Sequence, residues 1–220
     1  MNILILTDKN RWFDEEYLTT FVDDLSKQTN QHCNISNSYD HNNISEAYDV
    51  CFMLSYSRIV KQGFLDMHAY TIVIHASDLP KGKGMSPLTW QVLEGKNEIV
   101  FSLFKATEKL DEGDIFIKKT LKLNGNELVD ELREKQVEMP LDLATSFIND
   151  HGNLKAVKQE GEGFQYQRRT PLDSQLDINK TISEQFNVLR VCDNENYPAF
   201  FYINDEKFVL RITKESNEND

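Results

Sequence analysis

The sequence predicts an α/β fold: a mostly parallel sheet with helices on both faces, followed by a small segment of one helix and a β-hairpin. Three observations carry this. Residues 3–6, 50–54, 71–74 and 99–104 are short, nearly unbroken apolar runs, as strands buried on both faces read. Between several of them lie stretches with apolar residues at helical spacing, so strand and helix alternate, the pattern of a sheet wrapped by crossover helices. After residue 155 the composition changes. Residues 155–163, Lys-Ala-Val-Lys-Gln-Glu-Gly-Glu-Gly, are charged and glycine-bearing and mark a connector. The predicted division is a main domain over 1–155, a small α+β segment over 164–213 and a disordered tail over 214–220.

Residues 3–6 form the first strand. The following turn, Thr7-Asp8-Lys9-Asn10-Arg11-Trp12, contains no glycine. A dinucleotide-binding fold would place Gly-x-Gly-x-x-Gly here, which weighs against NAD or FAD. Asp14 is the expected cap of a helix with Tyr17, Leu18, Phe21, Val22 and Leu25 on one face. A weaker strand is expected near 32–36, a loop over 37–44, and a buried strand over 50–54. Phe64, Leu65 and Met67 suit a helix packed under the sheet. The strand at 71–74 then stops at His75-Ala76-Ser77-Asp78-Leu79-Pro80. A histidine at the carboxyl end of a buried strand lies where open α/β sheets place their ligands. Lys81-Gly82-Lys83-Gly84 reads as a flexible loop. Ser86 as N-cap, Pro87 at the first helical position and Gly95 past the end frame the next helix.

A strand over 99–104, a turn over 109–114 and a strand over 115–121 follow, so Asp111 and His75 both lie near strand ends. Asn126 opens a long helix with Leu128, Leu132, Met139, Leu143 and Phe147 in one stripe, Pro140 as a kink and Gly152 as a stop. Thr181-x-x-Glu184 is a capping box for a helix carrying Phe186 and Leu189. A hairpin spans 200–212, turning at 204–207. It carries more apolar surface than so small a segment can bury, so it should pack on the main domain or across a symmetric homodimer.

Composition bounds the function. The chain has 220 residues and is 40% hydrophobic, enough for one domain with a core plus an appendage. No apolar run reaches membrane-spanning length, and the first residues read as a strand rather than a signal peptide, so a cytoplasmic protein with no membrane partner is expected. The cysteines, Cys33, Cys51 and Cys192, are sparse and odd in number, which favours reduced thiols, and no two lie at metal-ligand spacing, so no metal is expected. A formal net charge of −12 argues against a nucleic-acid partner, because phosphate contacts need clustered Lys and Arg.

His75, Ser77, Leu79, Pro80, Gly84, Pro87, Trp90, Leu110, Asp111 and Gly113 together resemble the formyltransferases that use N10-formyltetrahydrofolate. That family carries Asn-x-His-x-Ser-Leu-Leu-Pro at a strand end, a glycine-containing loop, Pro-x-x-Trp at a helix start and a Leu-Asp-x-Gly turn. The resemblance implies a Rossmann-like fold and a catalytic pair, His75 and Asp111. The imidazole would donate to the formyl oxygen as it becomes negative, and the carboxylate would orient it and receive the amine proton. Taken alone, His75 would read as a structural histidine. The family's Asn falls at Val73, which cannot hydrogen-bond through its side chain. Either Ser77, Asn10 or Ser55 replaces that donor, or activity is impaired. Ser77 also suits a plain turn-forming role.

The resemblance further implies that the folate co-substrate contacts Arg58, Ile59, Val60, Lys105, Glu108 and Asp111. Ile59 and Val60 read equally well as core packing. The segment Arg168-Arg169-Thr170-Pro171-Leu172-Asp173-Ser174, with Tyr197-Pro198-Ala199-Phe200, is similar to the C-terminal part of formyltransferases acting on nucleotide-linked amino sugars, as in surface polysaccharide or O-antigen synthesis. The implied acceptor is a primary amine on a UDP- or dTDP-linked deoxysugar. Lys9, Asn10, Arg11, Trp12, Lys81, Lys83, Arg168 and Arg169 are its candidate contacts, although an arginine pair also suits an ion-paired hinge. Methionyl-tRNA formyltransferase, disfavoured by the short C-terminal segment and the acidity, a formyltetrahydrofolate hydrolase, and an impaired folate or sugar-nucleotide binding protein are the alternatives.

Overall fold

The computed structural model describes residues 1–9 and 15–215. Strands β1 (Asn2–Thr7), β2 (Asn34–Ser38), β3 (Val50–Leu54), β4 (Tyr70–His75), β6 (Glu98–Lys105) and β7 (Ile115–Lys122) form one sheet in the order β2-β1-β3-β4-β6-β7. The first four are parallel; β6 is antiparallel to β4 and β7 to β6. Every residue of β3 is buried, which is why its sequence shows no polar alternation. Helices α1 (Glu15–Gln28), α3 (Pro87–Leu93) and α4 (Val129–Asp150) cover one face. Leu18, Phe21, Leu25, Leu88, Val92, Leu143 and Phe147 meet Ile3, Ile5, Phe52 and Ile72 there. The other face is thinner. The one-turn α2 (Gln62–Leu65) packs Phe64 and Leu65 on Leu4, Leu6, Cys51 and Met53, and Val73 joins them.

That thinner face positions the site. Val73 and His75 are two apart on β4 and so share it. The loops after β1 and β3 meet at the same sheet end, where Oδ2 of Asp8 accepts from the backbone N–H of Ser57 at 2.9 Å and from its hydroxyl at 2.5 Å. Because β6 runs the opposite way, the β6–β7 loop can fold back over β4. The Ala106 N–H donates to the carbonyl of Thr71 at 2.8 Å.

The C-terminal segment contains a 3-10 turn over Pro171–Ser174, helix α5 (Phe186–Arg190) and the hairpin β9 (Ala199–Ile203) and β10 (Glu206–Leu210). The capping box forms as expected, with Thr181 and Glu184 each accepting the other's N–H, ahead of a 3-10 turn that leads into α5. The hairpin turns on Asn204 and Asp205, both at positive φ, which these residues tolerate. One side packs Ala199 onto Leu176, Leu189 and Cys192, while Ile203 and Val209 stay exposed.

Several local expectations are revised. The second strand begins at Asn34 rather than 32. Ser86 precedes α3 in a left-handed conformation and makes no side-chain cap, so its hydroxyl is not the helix start signal it resembles. The helix continues through Pro140 to Asp150. The 155–163 connector is bonded to the sheet, Val157 exchanging two backbone hydrogen bonds with Ile115 at 2.8 Å each. Lys214, assigned to the tail, reaches Glu131 at 2.6 Å. Asp14 lies outside the described residues.

One buried ion pair ties α5 to the residues just before α4. Arg190 and Glu127 are 1% and 4% exposed. The guanidinium donates to Oε2 of Glu127 at 3.0 Å and to its carbonyl at 3.1 Å. Glu127 also accepts from the N–H groups of Asn124 and Gly125. Burial alone would push this carboxyl up, but those N–H groups and Arg190 outweigh it and hold it below its ordinary value. Asp193 is likewise held well below the usual range, burial being outweighed by Arg133 at 2.7 Å and three donors from Glu195 and Asn196. Removing one partner of a buried pair strands the other charge. Arg190→Met should therefore cost about 3–5 kcal/mol in denaturant unfolding; a loss under about 1 kcal/mol would contradict the pairing. Both carboxyls titrate lower in the folded chain than their ordinary 4.5 and 3.8. Their stabilisation is present above those values and is lost as pH falls below them. Unfolding followed from pH 7 to pH 2 should show that loss, diminished in Asp193→Asn.

Candidate active site

The end of β4 is held from behind. The amide of buried Gln91 on α3 donates to the carbonyl of Ala76 at 2.7 Å, and the hydroxyl of Ser102 on β6 donates to that of Ser77 at 2.7 Å. The N–H of Ser77 turns back onto the carbonyl of His75 at 2.9 Å. His75 therefore has little freedom. Its Nε2 lies 2.9 Å from the carbonyl of Gly82 and 3.8 Å from Oδ2 of Asp111. The two side chains are 11% and 7% exposed. The second distance exceeds a hydrogen bond, and such contacts often tighten only with substrate in place.

Asp111 reaches this point from a crowded turn. It has φ +51°. A Cβ at Gly113 would lie 1.6 Å from the carbonyl oxygen of Lys105, so only glycine lets the chain pass. The carboxylate accepts the N–H of Gly84 at 2.9 Å. Gly84, at φ +92°, is also crowded, since a Cβ there would meet the carbonyl of Tyr166 at 2.5 Å. The expected flexible loop is thus tied down. β5 (Lys83–Gly84) pairs with β8 (Gln165–Tyr166), Lys83 and Met85 donating to the carbonyls of Phe164 and Tyr166. Trp90 stacks on Tyr166 and its indole donates to the carbonyl of Gln167 at 2.8 Å. The Tyr166 hydroxyl donates to both oxygens of Glu94, and burial followed by that carboxylate pushes it well above the ordinary tyrosine range.

Residues 2–141 match the family model described as Formyl transferase. The chain belongs to the formyl transferase family. A methionyl-tRNA formyltransferase from Ehrlichia canis is 26% identical over 203 residues, which is 89% of this chain and 65% of that one. Two further methionyl-tRNA formyltransferases are matched over 63% and 57% of their length, so the chain spans about three-fifths of the curated relatives. Among solved structures, methionyl-tRNA formyltransferase from Clostridium thermocellum aligns at TM-score 0.78 and 20% identity over 100% of this chain and 95% of that one. A 4-N formyltransferase from Francisella tularensis aligns at 0.74 and 17% over 98% of each. The formyltransferase PseJ from Anoxybacillus kamchatkensis, in complex with UDP-4,6-dideoxy-4-formamido-L-AltNAc and tetrahydrofolate, aligns at 0.53 and 18% over 76% and 86%. These three share the fold.

The expected folate contacts lie on two neighbouring stretches, the segment after β3 and the β6–β7 loop. Oε1 of Glu108 accepts the N–H of Gln62 at 2.9 Å, tethering the β6–β7 loop to the segment after β3. Ile59 is 84% exposed beside it, so core packing does not explain that residue, while Val60 is buried. Leu110, two residues after Glu108, is also exposed. Arg58 is drawn to Asp40 at 2.6 Å, and Lys105 is exposed.

The acceptor candidates scatter. Lys9 lies over the Tyr39 ring at 5.0 Å, and Asn10, Arg11 and Trp12 fall outside the described residues. Lys83 pairs with Glu112 at 3.4 Å on the wall of a cleft of about 450 Å³, bordered by Pro80, Gln159, Phe164 and Gln165. Lys81 is exposed. Arg168 borders a second cleft of about 330 Å³ with Ser86, Thr89 and Arg133. Arg169 turns inward, donating to the carbonyl of Val191 at 2.7 Å and the hydroxyl of Ser174 at 2.8 Å. Both partners lie within the C-terminal segment, so these bonds brace that segment internally and do not form the ion-paired hinge onto the main domain.

The hydroxyl of Ser77 is buried with no hydrogen-bond partner, and Ser55 sits at positive φ. No group of three or more His, Cys, Asp or Glu among the described residues could hold a metal ion. No helix among them is long and apolar enough to cross a membrane. Sequence reasoning missed Gln91, a polar residue on the buried face of α3, and Tyr166 and Gln159, neither of which lies in a motif or on a periodic face. Gly113→Ala tests the crowded turn. It should cost at least about 1–3 kcal/mol, the scale of overpacking, and should lower turnover by displacing Asp111. Unchanged stability and rate would contradict the close approach.

Proposed function

We propose that the protein transfers a formyl group from N10-formyltetrahydrofolate to a primary amine on a UDP- or dTDP-linked amino deoxysugar. The observation that carries the reaction is the imidazole of His75 beside the carboxylate of Asp111, 3.8 Å apart. The neutral amine attacks the formyl carbon. His75 donates a hydrogen bond to the oxygen as it gains charge. Asp111 takes the proton that the amine loses, and as the carbon–N10 bond breaks that proton passes on to N10, which leaves as the secondary amine and returns Asp111 to its carboxylate. Ser77, whose buried hydroxyl has no partner in the chain, is the proposed second donor where Val73 supplies none.

A sugar acceptor is favoured over a nucleic acid by the net charge of −12, which opposes phosphate backbones, and by the Arg168–Ser174 resemblance. The neighbour solved with UDP-4,6-dideoxy-4-formamido-L-AltNAc supports it. The curated relatives keep the tRNA reading alive as the second one. A turnover screen of amino-sugar nucleotides and of initiator Met-tRNA with formyl donor, read by mass, decides between them. Formylated sugar nucleotide is expected; product only with tRNA would overturn the acceptor assignment, and no product with either would overturn the enzyme.

Three further outcomes are expected. The rate should rise with pH while the substrate ammonium deprotonates. His75→Ala and Asp111→Ala should each abolish turnover while leaving the fold intact, and the double variant should be little worse, since residues acting as a unit are not additive. With Ser77 as donor, Ser77→Ala should cost about 10²–10³ in rate and Val73→Asn should bring no gain. A gain approaching about 10² from Val73→Asn would instead mean that the site lacks a donor.

A further inference from the structure

Asp111 sits in a conformation that side chains rarely adopt, and such a residue persists only where its surroundings over-determine it. Two groups do so. The N–H of Gly84 reaches Oδ2 at 2.9 Å. On the backbone side, Nε2 of Gln159 donates to the carbonyl of Asp111 at 2.8 Å and to that of Gly113 at 2.9 Å. One amide nitrogen thus commits both of its hydrogens to this turn. The orientation is forced, because the reversed amide would aim its oxygen at two carbonyl oxygens. Its Oε1 is buried and meets no partner. A buried acceptor left unsatisfied is unfavourable, and filling space would be done better by an apolar residue of the same length.

Gln159 is itself fixed. Two residues earlier Val157 is bonded to Ile115, and beyond it Phe164 and Tyr166 accept from Lys83 and Met85. One stretch of chain therefore grips Asp111 from both sides. Gln159 holds its carbonyl, and β8 holds the strand whose Gly84 N–H holds its carboxylate.

We infer that Gln159 is a positioning residue of the formyl-transfer reaction, acting through Asp111 by fixing the aim of its carboxylate at His75. This rests on the assignment of His75 and Asp111 given above.

The test uses Gln159→Met, which keeps the length and removes both donors, in the parent and in Asp111→Asn. In the parent kcat should fall about ten- to a hundredfold, the scale of a misplacement of about an ångström, with KM for both substrates within about twofold. In the Asp111→Asn background, read as the residual single-turnover rate at high enzyme concentration, the same change should have no further effect, whereas a merely structural role would lower both alike. Should methionine unfold the linker, Gln159→Glu replaces it. Its kcat relative to the parent should rise as pH falls, because protonation returns one donor. Exchange of the Gly84 amide proton, followed by NMR, should speed about tenfold or more in either variant. That readout needs no turnover, so it separates failure of the clamp from failure of the proposed reaction. Parent-like kcat, or an equal loss in Asp111→Asn, overturns the inference. Unchanged Gly84 exchange does the same where the parent shows no turnover.

Discussion

The turn between β6 and β7 can exist only if backbone passes over backbone without a side chain between. Gly113 lies against the carbonyl of Lys105 so closely that a methyl group cannot enter. Two residues before it, Asp111 lies in the left-handed region, at a cost smaller for aspartate than for most side chains. The rest of the site follows from how the cost is met. β5 must lie where the Gly84 N–H reaches the carboxylate, which requires glycine at 84, and β8 must lie alongside β5. Trp90 and Tyr166 then stack to cover the pair. The carboxylate faces His75 because each of these strands has one place to go.

The linker is therefore part of the site rather than a tether to an appendage. It leaves α4, pairs with the edge strand β7 at Val157, passes under Asp111 at Gln159 and pairs with β5 at Tyr166. The segment that follows is anchored in turn by Arg190 and Glu127. A buried ion pair adds little net stability over apolar residues of the same shape. It does fix geometry, because the guanidinium meets Glu127 through both its carbonyl and its carboxylate, and Asn187 as well. The chain that holds Asp111 thus runs on into a segment anchored by its own buried ion pair.

How much of this was legible follows from the range of each interaction. The strands were legible because burial on both faces leaves only apolar residues, as at 50–54. His75 and Asp111 were legible as polar residues at the ends of such runs, reinforced by the order of the surrounding motif. Gly82 and Gly84 were visible but misread. Alternating Lys and Gly looks mobile, yet here glycine serves close approach to Tyr166. Ser86 misled for a related reason, since a hydroxyl before proline suggests a cap whatever its φ. The β5–β8 pairing, two residues on each side and some eighty apart in sequence, leaves no periodic trace. Neither does Gln159, a single amide in a charged linker, nor Glu127, whose partner lies 63 residues away.

Val73 shows where the fold and the chemistry compete for one position. Its neighbours across the sheet are Met53 and Phe104, and it packs with Leu4, Leu6, Val60 and Phe64. An asparagine here would place an amide against apolar side chains, and an amide buried without partners is costly. It would be offset only while a polar group, such as a developing oxyanion, faced it. Valine removes that cost and strengthens the thinner of the two faces, the one with a single-turn helix. The loss then falls on the reaction, unless a hydroxyl already buried at the same strand end can serve. Ser77 is such a hydroxyl, held by its own backbone bonds to His75 and Ser102 and with its side chain uncommitted. In that arrangement the stability of the sheet and the donor to the oxyanion reside in different residues, and β4 can be apolar from Ile72 up to its histidine.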